Sequence, residues 1–162
     1  MPDLSPLATS VGELLKQRSD TIAITESSCG GLISAALVSI PGASAYFRGG
    51  AVSYTRVAHK ALLGVPDSAI EGIRASSEPY AELNSRTVRA SMETTWALSE
   101  TGASGPTGNR YGDSAGHACF AVAGPVERSL TVETGGDDRE ANMWAFAQAG
   151  LELLEQCIKE AS

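Results

Sequence analysis

The fold is decided by residues 21–33, which read Thr21-Ile22-Ala23-Ile24-Thr25-Glu26-Ser27-Ser28-Cys29-Gly30-Gly31-Leu32-Ile33. The β-branched start predicts a buried strand, and the small residues and glycines after it predict a tight turn. From Leu32 the apolar residues recur at helical spacing. Ser27 is thus expected at the carboxyl end of a strand, beside a helix N-terminus whose free N–H groups suit an anion or oxyanion. An ordinary strand-to-helix turn with a serine cap is the alternative, because the turn has neither phosphate-loop nor dinucleotide spacing.

Length and composition indicate a single globular domain. The chain has 162 residues, 43% of them hydrophobic, which predicts one domain over residues 1–162. Its 12 basic and 19 acidic side chains give a net charge of −7, which argues against a nucleic-acid surface. No apolar run is long enough for a membrane span, and no secretory signal is visible. The three cysteines are widely spaced, so we expect no metal site, no disulfide framework and a cytoplasmic location.

The rest of the chain alternates helices with strands. Apolar spacing predicts a first helix ending near residues 18–20 and a last helix starting at Arg139. Thr55 and Ser77 are the predicted N-caps of two further helices. Strands are predicted at 21–25, 47–54, 95–101, 117–123 and 129–134. A short turn joins the last two strands, which must be antiparallel, so we predict a three-layer α/β/α sandwich with a mixed, mostly parallel five-stranded sheet.

Two glycine-rich segments follow predicted strands. One is the turn at residues 26–31, and the other reads Gly102-Ala103-Ser104-Gly105-Pro106-Thr107-Gly108. If their strands are neighbours, both segments meet at one edge of the sheet, where backbone N–H groups would suit a carboxylate or phosphate. A mobile connection is the alternative interpretation of the second segment, although long loops in compact domains are often functional.

Ser27 is the candidate nucleophile, and a serine nucleophile needs a base. No Gly-x-Ser-x-Gly elbow is present, which excludes the α/β-hydrolase arrangement. The candidate activators are Tyr54, which ends the second predicted strand, and His59 and Lys60, which lie one turn beyond it. Each also has a purely structural interpretation. Tyr54 would be an aromatic residue at a strand end, and His59 and Lys60 would be exposed helical residues.

Several motifs, in the right order, resemble those of the CinA C-terminal domain family, which includes nicotinamide mononucleotide deamidases. The family motif Glu-Ser-Cys-Thr-Gly-Gly corresponds to residues 26–31, and Gly-Ile-Ala-Gly-Pro-x-Gly corresponds to residues 102–108. Further matches are Pro41-Gly42-Ala43-Ser44, Phe47 to Tyr54, Leu63-Gly64-Val65 and Ser77-Glu78-Pro79. The resemblance covers nearly the whole chain. It implies an oligomeric α/β/α domain that hydrolyses the amide of nicotinamide mononucleotide to acid and ammonia, with no metal or other cofactor.

The resemblance also implies the catalytic residues. The family has a serine in the first motif, a tyrosine ending the second strand and a lysine five residues later. The serine and tyrosine correspond to Ser27 and Tyr54, but the lysine position holds His59. Lys60 is one place late, about 100° round a helix. We therefore expect Tyr54 and His59 to point toward Ser27, with neutral His59 as the base.

Substrate binding is expected from the two glycine-rich segments. Gly30 and Gly31 would hold the oxyanion through their N–H groups, and residues 104–108 would hold the ribose phosphate. The first motif has Ser28 and Cys29 where the family usually has cysteine and threonine. The implied substrate-binding residues are Glu26, Ser28, Cys29, Gly30, Gly31, Gly49, Ser104, Gly105, Pro106, Thr107, Gly108 and Arg139.

Three functions remain open at this point. The first is an amidohydrolase of the nicotinamide mononucleotide deamidase type, which attacks a carboxamide with a serine. The second is a catalytically altered or inactive nucleotide-binding or assembly protein on the same fold, which the missing lysine favours. The third is an amidase for a different substrate. Each implies a small-molecule partner and a homo-oligomer, with no nucleic acid and no membrane.

Overall fold

The computed structural model describes residues 2–161, which form one sheet covered on both faces by helices. The helices are α1 (Ser5–Arg18), α2 (Leu32–Val38), α3 (Arg56–Leu63), α4 (Glu78–Met92) and α5 (Arg139–Glu160). The strands are β1 (Ile22–Glu26), β2 (Phe47–Val52), β3 (Trp96–Ala103), β4 (His117–Ala123) and β5 (Arg128–Glu133). The predicted α/β class is confirmed. No helix within residues 2–161 is long and apolar enough to span a membrane.

The sheet has five strands in the order β2-β1-β3-β4-β5. β1 runs parallel to both of its neighbours, β2 and β3. β4 is antiparallel to both β3 and β5, which confirms the predicted mixed sheet and its antiparallel last pair. All strands except β4 therefore share one direction, although the pairings divide evenly between parallel and antiparallel.

The two faces of the sheet bury different layers. Ile22 and Ile24 of β1 belong to the larger core, which also contains buried residues of α1, α2 and α5. Ala23, between them, faces the opposite side and packs with Val88 of α4 and Leu63 of α3. This alternation follows from the two-residue period of a strand. It gives the predicted three layers, because helices lie on both faces.

Strand direction decides where the site lies. β1, β2 and β3 are parallel, so their carboxyl ends meet at one edge of the sheet. The turn after Glu26, the segment holding Tyr54 and the glycine-rich segment after β3 all begin at that edge. The predicted caps are confirmed, since Thr55 accepts a hydrogen bond from Ala58 N and Ser77 accepts one from Tyr80 N. β3 continues to Ala103, two residues beyond its predicted end.

Candidate functional site

A cleft of about 260 Å³ opens where β1, β2 and β3 end, and we call it the serine cleft. Ser27 and Glu100 line it at the sheet edge, and Tyr54 lines it after β2. Its remaining walls carry aromatic and basic side chains, namely Tyr80, Tyr111, Arg56, Arg74 and Arg110. The cleft therefore joins a serine and a carboxylate to a wall that suits a flat anionic molecule.

A second cavity, of about 220 Å³, adjoins the serine cleft, and we call it the glycine-loop cavity. Ser28 lines it from the turn after β1, and Tyr54 lines both cavities. Its other lining residues are Gly102, Ala103, Ser104, Gly105, Thr107, Gly108, Asn109 and Arg139. Ser104 Oγ donates to the Ser28 carbonyl at 3.2 Å, so the two glycine-rich segments meet at one sheet edge, as predicted.

Arg139 joins this edge to the start of α5. Its Nη1 donates to the Gly105 carbonyl at 2.5 Å, and its Nη2 donates to the Tyr54 hydroxyl at 3.0 Å. One turn later, Asn142 Nδ2 donates to the Ser104 carbonyl at 2.8 Å. The first turn of α5 therefore holds the glycine loop (residues 104–116) against the end of β2. Arg139 lines the glycine-loop cavity, in agreement with its expected place among the substrate-binding residues.

Glu26 is fully buried, and its carboxylate is used inside the protein. Oε1 accepts from the Gly31 and Ile33 N–H groups at 3.0 and 3.1 Å. Oε2 accepts from both the N–H and the hydroxyl of Ser34. A carboxylate at a helix N-terminus satisfies the free N–H groups and complements the helix dipole. Glu26 thus caps α2 and lines neither cavity, which corrects its expected role in substrate binding.

Glu100 lies beneath the serine turn (residues 26–31) and is 2% exposed. Its Oε2 accepts from the N–H groups of Ser27 and Cys29, both at 2.9 Å, and its Oε1 accepts from Ser28 Oγ. Burial raises its pKa above the ordinary glutamate value, while these hydrogen bonds act in the opposite direction. Sequence reasoning missed Glu100, although a charged residue inside a strand predicted at 95–101 was a visible signal.

Two expected binding features of the serine turn are corrected by these contacts. Gly30 N–H donates to the Ser27 carbonyl at 3.0 Å, and Gly31 N–H donates to Glu26, so neither is free for an oxyanion. Cys29 is buried with its sulfur near the Met143 carbonyl, and burial raises its thiol pKa well above the usual value.

Two other expected substrate contacts lie outside both cavities. Gly49 is on the edge strand β2, where an added Cβ would lie 3.1 Å from Met92 Sδ. Pro106 is exposed and, unlike its neighbours Gly105 and Thr107, lines neither cavity.

His59 lines neither cavity, which corrects the expectation that its side chain lies in the site with Ser27. It is buried, its Nε2 lies 2.7 Å from Asn84 Oδ1, and its ring stacks on Tyr80 at 5.0 Å between centroids. Asn84 and Tyr80 line the serine cleft, so His59 lies behind that wall. Lys60 does not replace it, because its side chain is 64% exposed and its Nζ lies 3.8 Å from Asp67.

The basic wall of the serine cleft was also missed from the sequence. Arg74 makes two hydrogen bonds to the Asp113 carboxylate, at 2.7 and 3.1 Å. The guanidinium groups of Arg74 and Arg110 lie 5.3 and 5.1 Å from the Tyr111 ring centroid. These residues come from separate loops and share no sequence motif, so only their arrangement in space reveals the wall.

His117 begins β4 where the glycine loop ends, and its Nε2 lies 3.6 Å from Asp113 Oδ2 of that loop. Its Nδ1 lies 2.5 Å from Glu133 Oε1 and its Nε2 lies 2.8 Å from the Ser76 carbonyl. Both partners are acceptors, which favours the doubly protonated ring. Burial lowers the pKa of His117, but the hydrogen bonds and the nearby Asp113 carboxylate outweigh burial and leave that pKa above its ordinary value.

Comparison with known sequences places this arrangement among related proteins. The family model described as the CinA C-terminal domain matches residues 4–158. A CinA-like protein of Cyanothece sp. is 40% identical over 124 residues, which are 76% of this chain and 30% of that protein. A CinA-like protein of Gloeobacter violaceus is 35% identical over 158 residues, which are 96% of this chain and 37% of that protein. The chain thus spans about a third of the length of these relatives.

Solved structures share the fold. A CinA superfamily protein of Klebsiella pneumoniae matches with a TM-score of 0.91 and 23% identity, covering 98% of this chain and 99% of that one. The competence/damage inducible protein CihA of Agrobacterium tumefaciens matches with a TM-score of 0.86 and 26% identity, covering 97% and 96%. The order of layers and strands described above is therefore shared with proteins whose sequences have diverged widely.

Proposed function

Because the chain belongs to the CinA C-terminal domain family, we propose that it is an amidohydrolase that releases ammonia from nicotinamide mononucleotide or a related carboxamide. The observation that carries the proposal is the shared cleft: Ser27 and Tyr54, which match the family's serine and tyrosine, line one cavity. Arg139 fixes the Tyr54 hydroxyl from the far side. A serine, a phenol and a guanidinium thus converge at one sheet edge.

The reaction needs a hydroxyl, a proton acceptor and a stabilised oxyanion. The serine oxygen forms a bond to the carboxamide carbon as its proton passes to the acceptor. The acceptor then gives that proton to the nitrogen of the tetrahedral intermediate, the C–N bond breaks, and ammonia leaves. Water then hydrolyses the acyl-serine through the same series of proton transfers. By its match to the family motif, Ser27 is the first candidate for the nucleophile.

The walls of the serine cleft support an anionic, aromatic substrate. Arg110 has its guanidinium 5.1 Å from the Tyr111 ring centroid, and none of the carboxylates in residues 2–161 lies within 4.0 Å of that guanidinium. The Arg110 guanidinium donates to the Tyr111 hydroxyl at 3.0 Å and keeps further donors that suit a phosphate, while the Tyr80 and Tyr111 rings suit a flat heterocycle. Nicotinamide mononucleotide has both features, as do other phosphorylated aromatic amides.

A second function is supported by a specific observation. The family's lysine position holds His59, which lies behind the cleft wall, and Lys60 points into solvent. A protein that binds the same class of ligand without turnover fits this loss of a base. It would retain the two cavities and the basic wall.

The deciding experiment measures ammonia release from nicotinamide mononucleotide between pH 5 and 9. Wild type, Ser27→Ala and Ser68→Ala are compared, since Ser68 is an exposed serine that lines neither cavity. Release by wild type and Ser68→Ala that far exceeds the blank supports the hydrolase. No release from wild type, together with binding of the nucleotide by calorimetry, rejects the hydrolase for this substrate and supports the binding protein.

A further inference from the structure

The serine turn contains one hydroxyl that is hydrogen-bonded to a carboxylate, and it belongs to Ser28. Ser28 Oγ donates to Glu100 Oε1. Ser28 is also where the sequence departs from the family motif, which usually has cysteine there. The side chain that supplies a base in the family is absent from this cleft, as the positions of His59 and Lys60 show.

The Glu100 carboxylate is oriented by several hydrogen bonds, as expected for a general base. Its second oxygen accepts the N–H groups of Ser27 and Cys29, both at 2.9 Å, so three donors of the serine turn fix one carboxylate. A nucleophile in contact with a base that a third group orients is the general signature of covalent catalysis. Both oxygens of Glu100 therefore act as hydrogen-bond acceptors for the serine turn.

Glu100 has no cationic partner that would explain its burial. Within residues 2–161 no lysine, arginine or histidine nitrogen lies within 4.0 Å of its carboxylate. A buried carboxylate without a cation is costly, and groups of this kind cluster at functional sites. Burial raises its pKa toward neutral pH, which is the direction that improves a general base.

We propose that Ser28 is the nucleophile and that Glu100 is its general base; this rests on the proposed amide hydrolysis and names the residues that perform it. Ser28 lines the glycine-loop cavity and Glu100 lines the adjoining serine cleft, so the carboxamide would lie where the two cavities meet beside Tyr54. Arg139 lines the glycine-loop cavity, and its guanidinium uses only part of its five donors on Gly105 and Tyr54. The remaining donors are available to the oxyanion.

The proposed step balances within this pair and the substrate. Ser28 Oγ forms a bond to the carboxamide carbon while its proton moves to Glu100 Oε1. Glu100 then gives the proton to the amide nitrogen, the C–N bond breaks and ammonia departs. Water next attacks the acyl-Ser28 ester with its proton passing to Glu100, and that proton returns to Ser28 Oγ as the acid leaves.

A serine-directed phosphonofluoridate tests the pair without depending on the substrate. Labelling is followed by intact mass, and the modified residue is identified by peptide mass spectrometry. Wild type is expected to gain one adduct on Ser28, at a rate that rises with pH as Glu100 ionises. Glu100→Gln keeps an acceptor oxygen for the backbone donors, yet should slow labelling on the order of 10²-fold or more and abolish the pH dependence. Glu71→Gln, at an exposed glutamate, is the matched control and should label like wild type.

The outcomes separate this inference from the proposed function. An adduct on Ser27, no adduct on wild type, or a Glu100→Gln rate equal to wild type would overturn the Ser28–Glu100 pair. Mapping the wild-type adduct decides the nucleophile even if Glu100→Gln does not fold. Full ammonia release by Ser28→Ala also rejects the pair while leaving the amidohydrolase intact. Glu100-dependent labelling of Ser28 without ammonia release supports the pair and rejects nicotinamide mononucleotide as substrate.

Discussion

The serine turn and the glycine loop lie at the same sheet edge but are held in different ways. The serine turn is fixed by two buried carboxylates that belong to the strands themselves, Glu26 of β1 and Glu100 of β3. The glycine loop is held by side chains of other elements, with Arg139 and Asn142 reaching it from α5. We therefore expect the serine turn to hold reacting groups in a fixed geometry and the glycine loop to adjust its conformation to a ligand.

The strongest test of this difference removes the carboxylate that caps α2. Glu26→Ala leaves the N–H groups of Gly31, Ile33 and Ser34 without their partner in a buried site. Each buried donor left unpaired costs about 1–3 kcal/mol, so we expect the free energy of unfolding to fall by about 3 kcal/mol or more. Urea denaturation of the variant measures this, with the exposed Glu71→Gln as control. A loss equal to that of the control would show that the turn does not depend on its carboxylates.

A second test compares two glycines of the loop. A Cβ on Gly108 would overlap the Asp113 carbonyl, whereas a Cβ on Gly112 meets nothing within 4 Å and only its φ of +96° is unfavourable. We expect Gly108→Ala to cost about 1–3 kcal/mol of unfolding free energy through overpacking, and Gly112→Ala about 1 kcal/mol through backbone strain. Urea midpoints of both variants give the ranking. A larger loss of unfolding free energy in Gly112→Ala than in Gly108→Ala would show that close packing against Asp113 is not the main constraint on the loop.

The fold was predictable because its signals are local. The β-branched run before Ser27, the caps at Thr55 and Ser77 and the helical spacing of α5 each determine an element without long-range information. The parallel strands then place the carboxyl ends together, which is why the meeting of the two glycine-rich segments was predictable from the order of elements.

The side-chain partners at the site were less predictable, since they depend on contacts between distant residues. Glu100 and Ser28 are 72 positions apart, and a hydrogen-bonded pair at that distance leaves no pattern in the sequence. His59 occupies the family's lysine position, yet its ring stacks on Tyr80 and bonds to Asn84, so its side chain packs behind the wall of the serine cleft. A motif fixes the backbone position of a residue, whereas its neighbours decide the direction of its side chain.

A third test loosens the glycine loop without touching the carboxylates of the serine turn. Asn142→Ala removes the hydrogen bonds to the Ser104 and Gly136 carbonyls, at 2.8 and 3.0 Å, and the one that Asn142 Oδ1 accepts from Thr134. We expect a loss of about 1–2 kcal/mol in the free energy of local opening. Hydrogen exchange should be faster for amides of residues 104–108 and unchanged for the serine turn. Gln148→Ala, on the exposed face of α5, is the control. Equal acceleration in the serine turn would contradict the separate attachment of the two regions.

The smallest expected effect concerns pH and the attachment of the loop through His117. The pKa of His117 is raised in the folded protein by Glu133, the Ser76 carbonyl and Asp113, despite opposing burial. A raised histidine pKa stabilises the fold fully below the unfolded pKa of about 6.5, and this contribution is lost as pH rises through the folded value. Because Glu133 is 57% exposed, we expect less than about 1 kcal/mol.

Urea midpoints of wild type and His117→Gln between pH 5.5 and 8.5 isolate this contribution. The difference in unfolding free energy between the two proteins should be largest at acid pH and should shrink as pH rises, because only the protonated ring donates to both Glu133 and the Ser76 carbonyl. Hydrogen exchange of residues 109–116 should accelerate over the same range in wild type, while that of the serine turn follows only the intrinsic pH dependence. Parallel stability profiles for the two proteins would mean that His117 is held as a neutral ring, and the loop would then keep its attachment at every pH.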